Sequence, residues 1–406
     1  MRNFFIFGFK VILLLIILLF ILISSKVLLI SERSLNGIAK IYFDEKYYVH
    51  NYPDVKKSGE LPYKHYIHHG WKEGKNPSPD FNTTFYKNHY LLNDKRGLNP
   101  LADFVNSKFY FEKRVTKLDI KKVRKLTKPK YYLSLVAMFQ NEARFLKEWI
   151  EFYRLLGVER FYLYNNLSTD GFREVLEPYI KDGLVVLRHV NGRAKGPGDL
   201  DRMLTGSYNE VVKELKDTSE WLIVGDTDEF LFPVQANNLP EVLKDYDDYA
   251  ALSVNWVIFQ DSNVERIKKG QLMIEEILKF VSNKDLHVKT IVKPRYVKSV
   301  VSTHFPDLIE GYTQVNENKE PFCGPFLPEA SHKVLKINHY YQRDLEFYKN
   351  QKLRRGHVSK GNFDNERHVE EMVQKSIDQS NNIPPENVDH AILKFVPELK
   401  RRMFGD

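Results

Sequence analysis

A chain of 406 residues with 43% apolar and 13% aromatic side chains can fill two or three domains and bury a sizeable core, which excludes a disordered polymer. Its net charge of +8 is concentrated: residues 111–130 carry nine Lys/Arg against two acids, and the rest is close to neutral, so the broad basic face of a nucleic-acid binder is missing. The single cysteine, Cys323, excludes an intramolecular disulfide, and no Cys/His cluster has zinc-site spacing.

Residues 1–30 read as a short tail and a transmembrane signal anchor. Val11–Ser25 is an uncharged apolar run between Lys10 and Lys26. Extended back through Phe4–Phe9 it reaches the roughly 20 residues a bilayer requires. No A-x-A-like cleavage site follows it. The flanking charges balance, so they do not set an orientation. The expectation is a single-pass membrane protein, Golgi-type and lumenal if eukaryotic, in the inner membrane if bacterial.

Residues 41–110 contain two similar segments. Phe43 aligns with Phe81, Tyr47-Tyr48 with Phe85-Tyr86, and Tyr66 with Phe104. A repeat of about 38 residues predicts a small helical unit used twice. The basic stretch 111–130 follows, either as a solvated linker or as a tether on an anionic membrane surface.

From 131 the pattern becomes an α/β alternation. Strands are predicted at Tyr132–Phe139, Phe161–Tyr164, Leu184–Leu187 and Trp221–Val224. Between the first two, Phe145, Leu146, Trp149, Ile150, Tyr153 and Leu156 fall on one helical face, and Gly157 stops the helix. Further helices are predicted through Val175–Ile180 and Asp201–Leu215. This rhythm implies a mostly parallel, Rossmann-like sheet with helices on both faces, spanning 131–360, and a helical extension over 361–406. Ligands of such sheets bind beyond the carboxyl ends of the strands.

Polar clusters fall at those ends: Asn141-Glu142, then Asn165-Asn166 with Ser168 and Asp170, then Asp226, Asp228 and Glu229. Paired carboxylates after a buried strand suit a hard divalent cation that also takes phosphate oxygens, and such an ion offsets charge on a departing diphosphate. A haloacid-dehalogenase-like phosphatase would also place D-x-D after an apolar strand. A non-catalytic glycan-binding protein is the third reading.

The stretch from Val136 to Val185, together with WLIVGDTDEFLFP (221–233), resembles glycosyltransferase family 92 and its bacterial relatives. Trp256 with Phe259, Lys289–Pro294, His304-Phe305 and the block beginning INHYY at 337 add to the resemblance. It implies a GT-A fold, a nucleotide-sugar donor (a UDP-sugar above all), Mn2+ or Mg2+, and inverting transfer to a glycan, glycoprotein or glycolipid. Carried over by position, Asn141, Glu142, Asn166 and Asp170 would bind the donor. Lys352, Arg354 and Arg355 would grip its diphosphate, Asp226 and Asp228 would take the metal and ribose roles with Asp228 the direct ligand, and His339 would complete the metal site. Where the family often has His, this chain has Tyr153. The 260–263 segment also departs from the family's Gly/Ser-rich pattern at the place expected to face the acceptor. Inversion needs a base for the acceptor hydroxyl. Asp261 is the first candidate and Glu229 the second.

Overall fold

The computed structural model describes residues 43–405 apart from 79–80, 82, 91–98, 105–122, 125, 191, 193–196, 310, 323, 328 and 356–365. The expected membrane anchor and most of the basic linker lie outside the described residues. Among those described, no helix is long and apolar enough to cross a membrane. The chain divides into two compact units, 1–111 and 112–406.

The first unit holds helices α1 (Glu45–Asn51), α2 (Pro53–Ser58), α3 (Pro62–His65) and α4 (Thr83–Tyr90), with a wide helical turn at Tyr66–Gly70. Asp44 starts α1 by accepting the Tyr47 N–H at 2.9 Å. The sequence repeat appears as one aromatic triangle built twice. Phe43, Tyr48 and Tyr66 sit with ring centroids 5.1, 5.8 and 6.0 Å apart. Phe81, Tyr86 and Phe104 repeat this at 5.4, 5.6 and 6.1 Å. The hydroxyl partners repeat as well: Tyr48 meets His65 Nδ1 at 3.1 Å, and Tyr86 donates to Asp103 at 3.1 Å. At Gly70 a β-carbon would come within 2.0 Å of the Tyr48 hydroxyl, so only glycine fits.

In the second unit the strands are β1 (Tyr131–Phe139), β2 (Arg160–Asn165), β3 (Val185–His189), β4 (Ser219–Val224), β5 (Glu229–Pro233), β6 (Ala251–Phe259), β7 (Phe280–Ser282), β8 (Val288–Val292), β9 (Val297–Val300), β10 (Pro306–Leu308), β11 (Gln314–Val315), β12 (Pro321–Phe322) and β13 (Leu335–His339). The main sheet runs β12-β11-β6-β8-β4-β1-β2-β3. Its β4-β1-β2-β3 half is parallel, as the sequence rhythm predicts. Strand β8 joins β4 and β6 antiparallel, while β13 runs parallel to β6 and antiparallel to β5.

Alternation along β1 sorts the helices. Leu133, Leu135, Ala137 and Phe139 pack with α5 (Ala143–Leu155) and α6 (Phe172–Lys181) in the larger core. Val136 and Met138 pack on the other face with Tyr208, Val211, Val212 and Leu215 of α7 (Pro197–Leu215). Both faces are covered, which is why these strands read as continuous apolar runs.

Ile392, Phe395, Val396 and Leu399, reaching into the final helix α9 (Val396–Phe404), join the larger core, so residues 361–406 belong to the same compact unit as the sheet. Helix α8 (Glu366–Asn381) precedes it.

Candidate active site

Three of the predicted polar clusters lie at the carboxyl ends of β1, β2 and β4, and two are laced together. Asn141 adopts a left-handed backbone with φ of 54°. Its N–H donates to Ser168 Oγ at 2.8 Å, and its side-chain oxygen accepts the Thr169 N–H at 2.7 Å. Asp170 accepts the Ala143 N–H at 2.8 Å and so caps α5 from the neighbouring loop. Asn141 and Asp170 therefore tie the β1 and β2 loops together before any ligand arrives. Among the described residues, Asp170 Oδ1 and Asn166 Oδ1 remain buried without a hydrogen-bond partner, two acceptors suited to a ligand's hydroxyl or N–H groups. Glu142 faces the other way: it is 2% exposed and forms a buried ion pair with Arg343.

The Asp226-Thr-Asp228 turn joins β4 to β5. Gly225 N–H bonds to Val136 of β1 at 3.1 Å, extending the parallel ladder to the motif's edge. The following strand is fixed from α5: the Glu229 carbonyl accepts from Trp149 Nε1 at 3.0 Å and from the Tyr153 hydroxyl at 3.1 Å. Tyr153 Oη also accepts the Leu231 N–H at 3.0 Å. The tyrosine that replaces the family's frequent histidine is thus a backbone brace, wholly buried.

The two aspartates have separate partners. Asp228 Oδ2 accepts from Lys352 Nζ at 2.5 Å, while Oδ1 faces His339 Nε2 at 3.6 Å. Asp226 Oδ2 accepts from Lys289 Nζ at 2.6 Å. His339 arrives on β13, whose register sets it opposite Glu229. Burial by itself would raise the Asp228 pKa, yet Lys352 and His339 outweigh it and hold the carboxyl well below the usual range. Glu229 goes the other way. Full burial pushes its pKa well up and the charges of Asp226 and Asp228 add to this, with Lys289 offsetting only in part.

Asp261, the first candidate base, lies beneath α8. It is fully buried, and its two carboxylate oxygens accept from Ser376 and, at 2.6 Å, from Ser380 of α8. Gln260 and Asn263 also bind α8, to Ser376 Oγ at 3.1 Å and Asn381 at 2.7 Å. The segment expected to face the acceptor is a docking seat for α8. Glu229, the second candidate, is 2% exposed and turned to the Asp226 N–H and Lys289. Arg354 points outward to Glu366, and the Arg355 side chain lies outside the described residues.

Residues given no role from sequence line the same place. Trp256 stacks on His287 at 5.2 Å and lies 5.1 Å from His304 and 4.6 Å from His339. Lys289 occupies a strand, VKTIV, that is buried throughout. A lysine there is a signal in itself, because a fully buried lysine requires a carboxylate partner.

A divalent ion fits part of this donor set. Asp228 and His339 oppose a carboxylate oxygen to an imidazole nitrogen at 3.6 Å, too far for a hydrogen bond. Among the described residues, however, Asp226, Asp228 and His339 do not bring three ligand atoms within 4.8 Å of one another.

The family model described as Glycosyltransferase family 92 matches residues 131–391. A family 92 protein of Ricinus communis is 26% identical over 243 residues, covering 58% of this chain and 40% of that protein. One of Arabidopsis thaliana is 32% identical over 113 residues, 28% of this chain and 18% of its own length. The chain spans less than half the length of these curated relatives. Among solved structures, S. aureus TarS is similar with a TM-score of 0.30 and 10% identity, over 63% of this chain and 44% of that one. TarS 1–349 in complex with UDP-GlcNAc has a TM-score of 0.28 and 12% identity, over 66% and 78%. With a family match over well more than half of its length, centred on the sheet and the Asp-Thr-Asp turn, this chain belongs to glycosyltransferase family 92.

Proposed function

We propose that the chain is a metal-dependent glycosyltransferase of GT-A type, moving a sugar from a nucleotide sugar, a UDP-sugar first of all, to a glycan, glycoprotein or glycolipid acceptor with inversion. The observation that carries this reading is the meeting of Asp228, His339 and Lys352 at the carboxyl end of β4. Asp228 and His339 would hold the ion, and the imidazole favours Mn2+ over Mg2+. When bound, the ion supplies a positive centre that neutralises charge developing on the departing diphosphate. Lys352, paired with Asp228, would turn its ammonium to the diphosphate oxygens. Asn166 and Asp170 would receive the nucleoside's donors through their buried oxygens. Tyr153 and Trp149 keep the Asp-Thr-Asp turn in place through the Glu229 carbonyl, so the turn's backbone need not reorganise as the donor binds. The N-terminal apolar run would anchor the enzyme as a single-pass protein, in a Golgi-type or an inner membrane.

The phosphatase reading asks Asp226, paired through Oδ2 with Lys289, to act as a nucleophile. Incubating the purified full-length chain with a panel of UDP-sugars, with and without Mn2+, beside a generic phosphate ester separates the readings. Mn2+-dependent UDP release is expected. Phosphate release from the ester, or no release from any sugar nucleotide, would sink the transferase.

A further inference from the structure

We infer that two crossed ion pairs, Glu142 with Arg343 and Arg144 with Asp344, clasp the loop after β1 to the loop after β13. Glu142 and Arg343 are then positioning residues for a ligand that must touch both loops. The inference rests on the nucleotide-sugar and metal reading above and adds to it what keeps the two halves of the site at a fixed separation.

Nearby residues of one loop meet neighbouring residues of the other with the signs reversed. The acid at 142 meets the base at 343, and the base at 144 meets the acid at 344, where Arg144 Nη1 donates to Asp344 Oδ1 at 3.1 Å. Sliding either loop so that Glu142 faced Asp344 would set two acids together, so the pattern fixes one register. Packing spans the same junction. The Arg343 guanidinium lies 4.8 Å from the Phe145 ring of α5 and 5.3 Å from the Phe347 ring, and the two rings meet edge to face at 5.0 Å. Arg343 also holds a left-handed backbone with φ of 60°. A residue with a long side chain is uncommon there and persists only where its surroundings hold it.

Both ends of the clasp continue into the site. Glu142 stands between Asn141, bound to Ser168 and Thr169, and Ala143, whose N–H binds Asp170. On the other side, the residue after His339 holds the Asp-Thr-Asp turn: the Tyr340 N–H donates to the Asp228 carbonyl at 2.8 Å, and the Tyr340 carbonyl accepts the Arg343 N–H at 3.2 Å. Asp344 accepts the Phe347 N–H at 2.9 Å and so starts the short helix Leu345–Phe347. That helix runs on through Tyr348–Lys352 to the lysine paired with Asp228.

A buried ion pair adds little net stability over an apolar pair of the same size. What this one supplies is a fixed relation between loops. A sugar nucleotide with its ion would span both, its nucleoside on Asn166 and Asp170 and its diphosphate beside the ion and Lys352. With the loops already at working separation, the second contact becomes effectively intramolecular. A ligand that touches one loop alone gains nothing from the clasp.

The test therefore compares bridging with non-bridging ligands on the full-length chain. UDP with Mn2+ is measured by calorimetry, uridine without metal by ligand-observed NMR, and Mn2+ alone by electron paramagnetic resonance. The variants are Glu142→Gln, Arg343→Asn and the two combined. Asparagine tolerates the left-handed backbone, so the second variant removes the charge without adding strain. Thermal melting checks folding, and the double variant, which leaves no unpaired buried charge, keeps the comparison open where a single one misfolds. Each variant is expected to weaken UDP binding with Mn2+ at least about tenfold, the double no more than either single, while uridine and Mn2+ alone change less than about threefold. A merely structural pair would weaken uridine together with UDP. Equal losses for uridine and for UDP with Mn2+, or unaltered binding of UDP with Mn2+ in the double variant, would overturn the inference. A wild type that binds no UDP in the presence of Mn2+ would instead overturn the donor reading, and the inference with it.

Discussion

In the repeat unit a buried hydroxyl meets a single partner beside a packed aromatic triangle, and the arrangement is copied with Tyr48 and His65 in one repeat, Tyr86 and Asp103 in the next. In the sheet unit the polar groups described at the strand ends include ion pairs with no such copy: Asp228 with Lys352, Asp226 with Lys289, Glu142 with Arg343. Copies need only satisfy packing, so their chemistry is interchangeable. A site that must grip a charged ligand needs unequal groups whose charges balance before the ligand comes. Buried ion pairs contribute little net stability after desolvation, so their concentration at one strand end points to function.

The contrast breaks most visibly in activity. Asp228→Asn should lower UDP release at least about 100-fold, because it removes the carboxylate that pairs with Lys352 and that the proposed ion would use. Its melting temperature should change far less than its turnover, and a rate close to wild type would remove Asp228 from the mechanism. In the repeat unit the matching effect is on stability. Tyr66→Ala should cost about 3–5 kcal/mol in urea unfolding, as for other buried aromatic truncations.

A finer distinction comes from pH. Burial of Glu148 outweighs the Met273 and Ile274 N–H groups that it accepts, and pushes its pKa from 4.5 up to about 7. The fold favours the uncharged acid, so this stabilisation is present below pH 4.5 and is lost as pH rises towards 7. The loss amounts to at most about 3 kcal/mol. Urea unfolding of wild type and Glu148→Gln at the two ends of that range should show the difference between them changing with pH, and parallel curves would count against it. The smallest effects test equivalence within the repeat. Tyr48→Phe and Tyr86→Phe each remove one hydroxyl bond and should cost about 1 kcal/mol apiece. Asp261→Asn should likewise disturb the α8 seat and leave kcat within about threefold, whereas a catalytic base would cost about 100-fold or more.

Much of this was legible beforehand. Strands β1 to β4, the helices between them and the Asp-Thr-Asp turn follow from apolar periodicity, which local sequence records directly. The repeat was legible because each position is echoed, down to Phe43 and Phe81. The surroundings of Asp261 were not legible, for a physical reason. A carboxylate just past a strand end resembles a base until the helix that covers it is placed, and Ser376 and Ser380 are more than a hundred residues away in sequence. Lys289 was passed over because its meaning depends on a partner on another strand, although a lysine within VKTIV could have announced one. Tyr153, read as part of an apolar helix face and as a departure from the family, braces the very turn that carries the motif.

His339 owes its position to a ladder rather than to its distance along the chain. On β13 it pairs with Glu229 on one side and Ile258 on the other. Loops between residues 234 and 334 can therefore lengthen or shorten without disturbing it. Slipping β13 by one residue would turn the imidazole to the opposite face of the sheet and put Asn338 in its stead. Relatives with very different spacings should thus be compared by counting back from the strand that closes on the Glu-Phe-Leu-Phe segment, and an engineered insertion within residues 335–339 should silence the enzyme where a far larger one outside is tolerated.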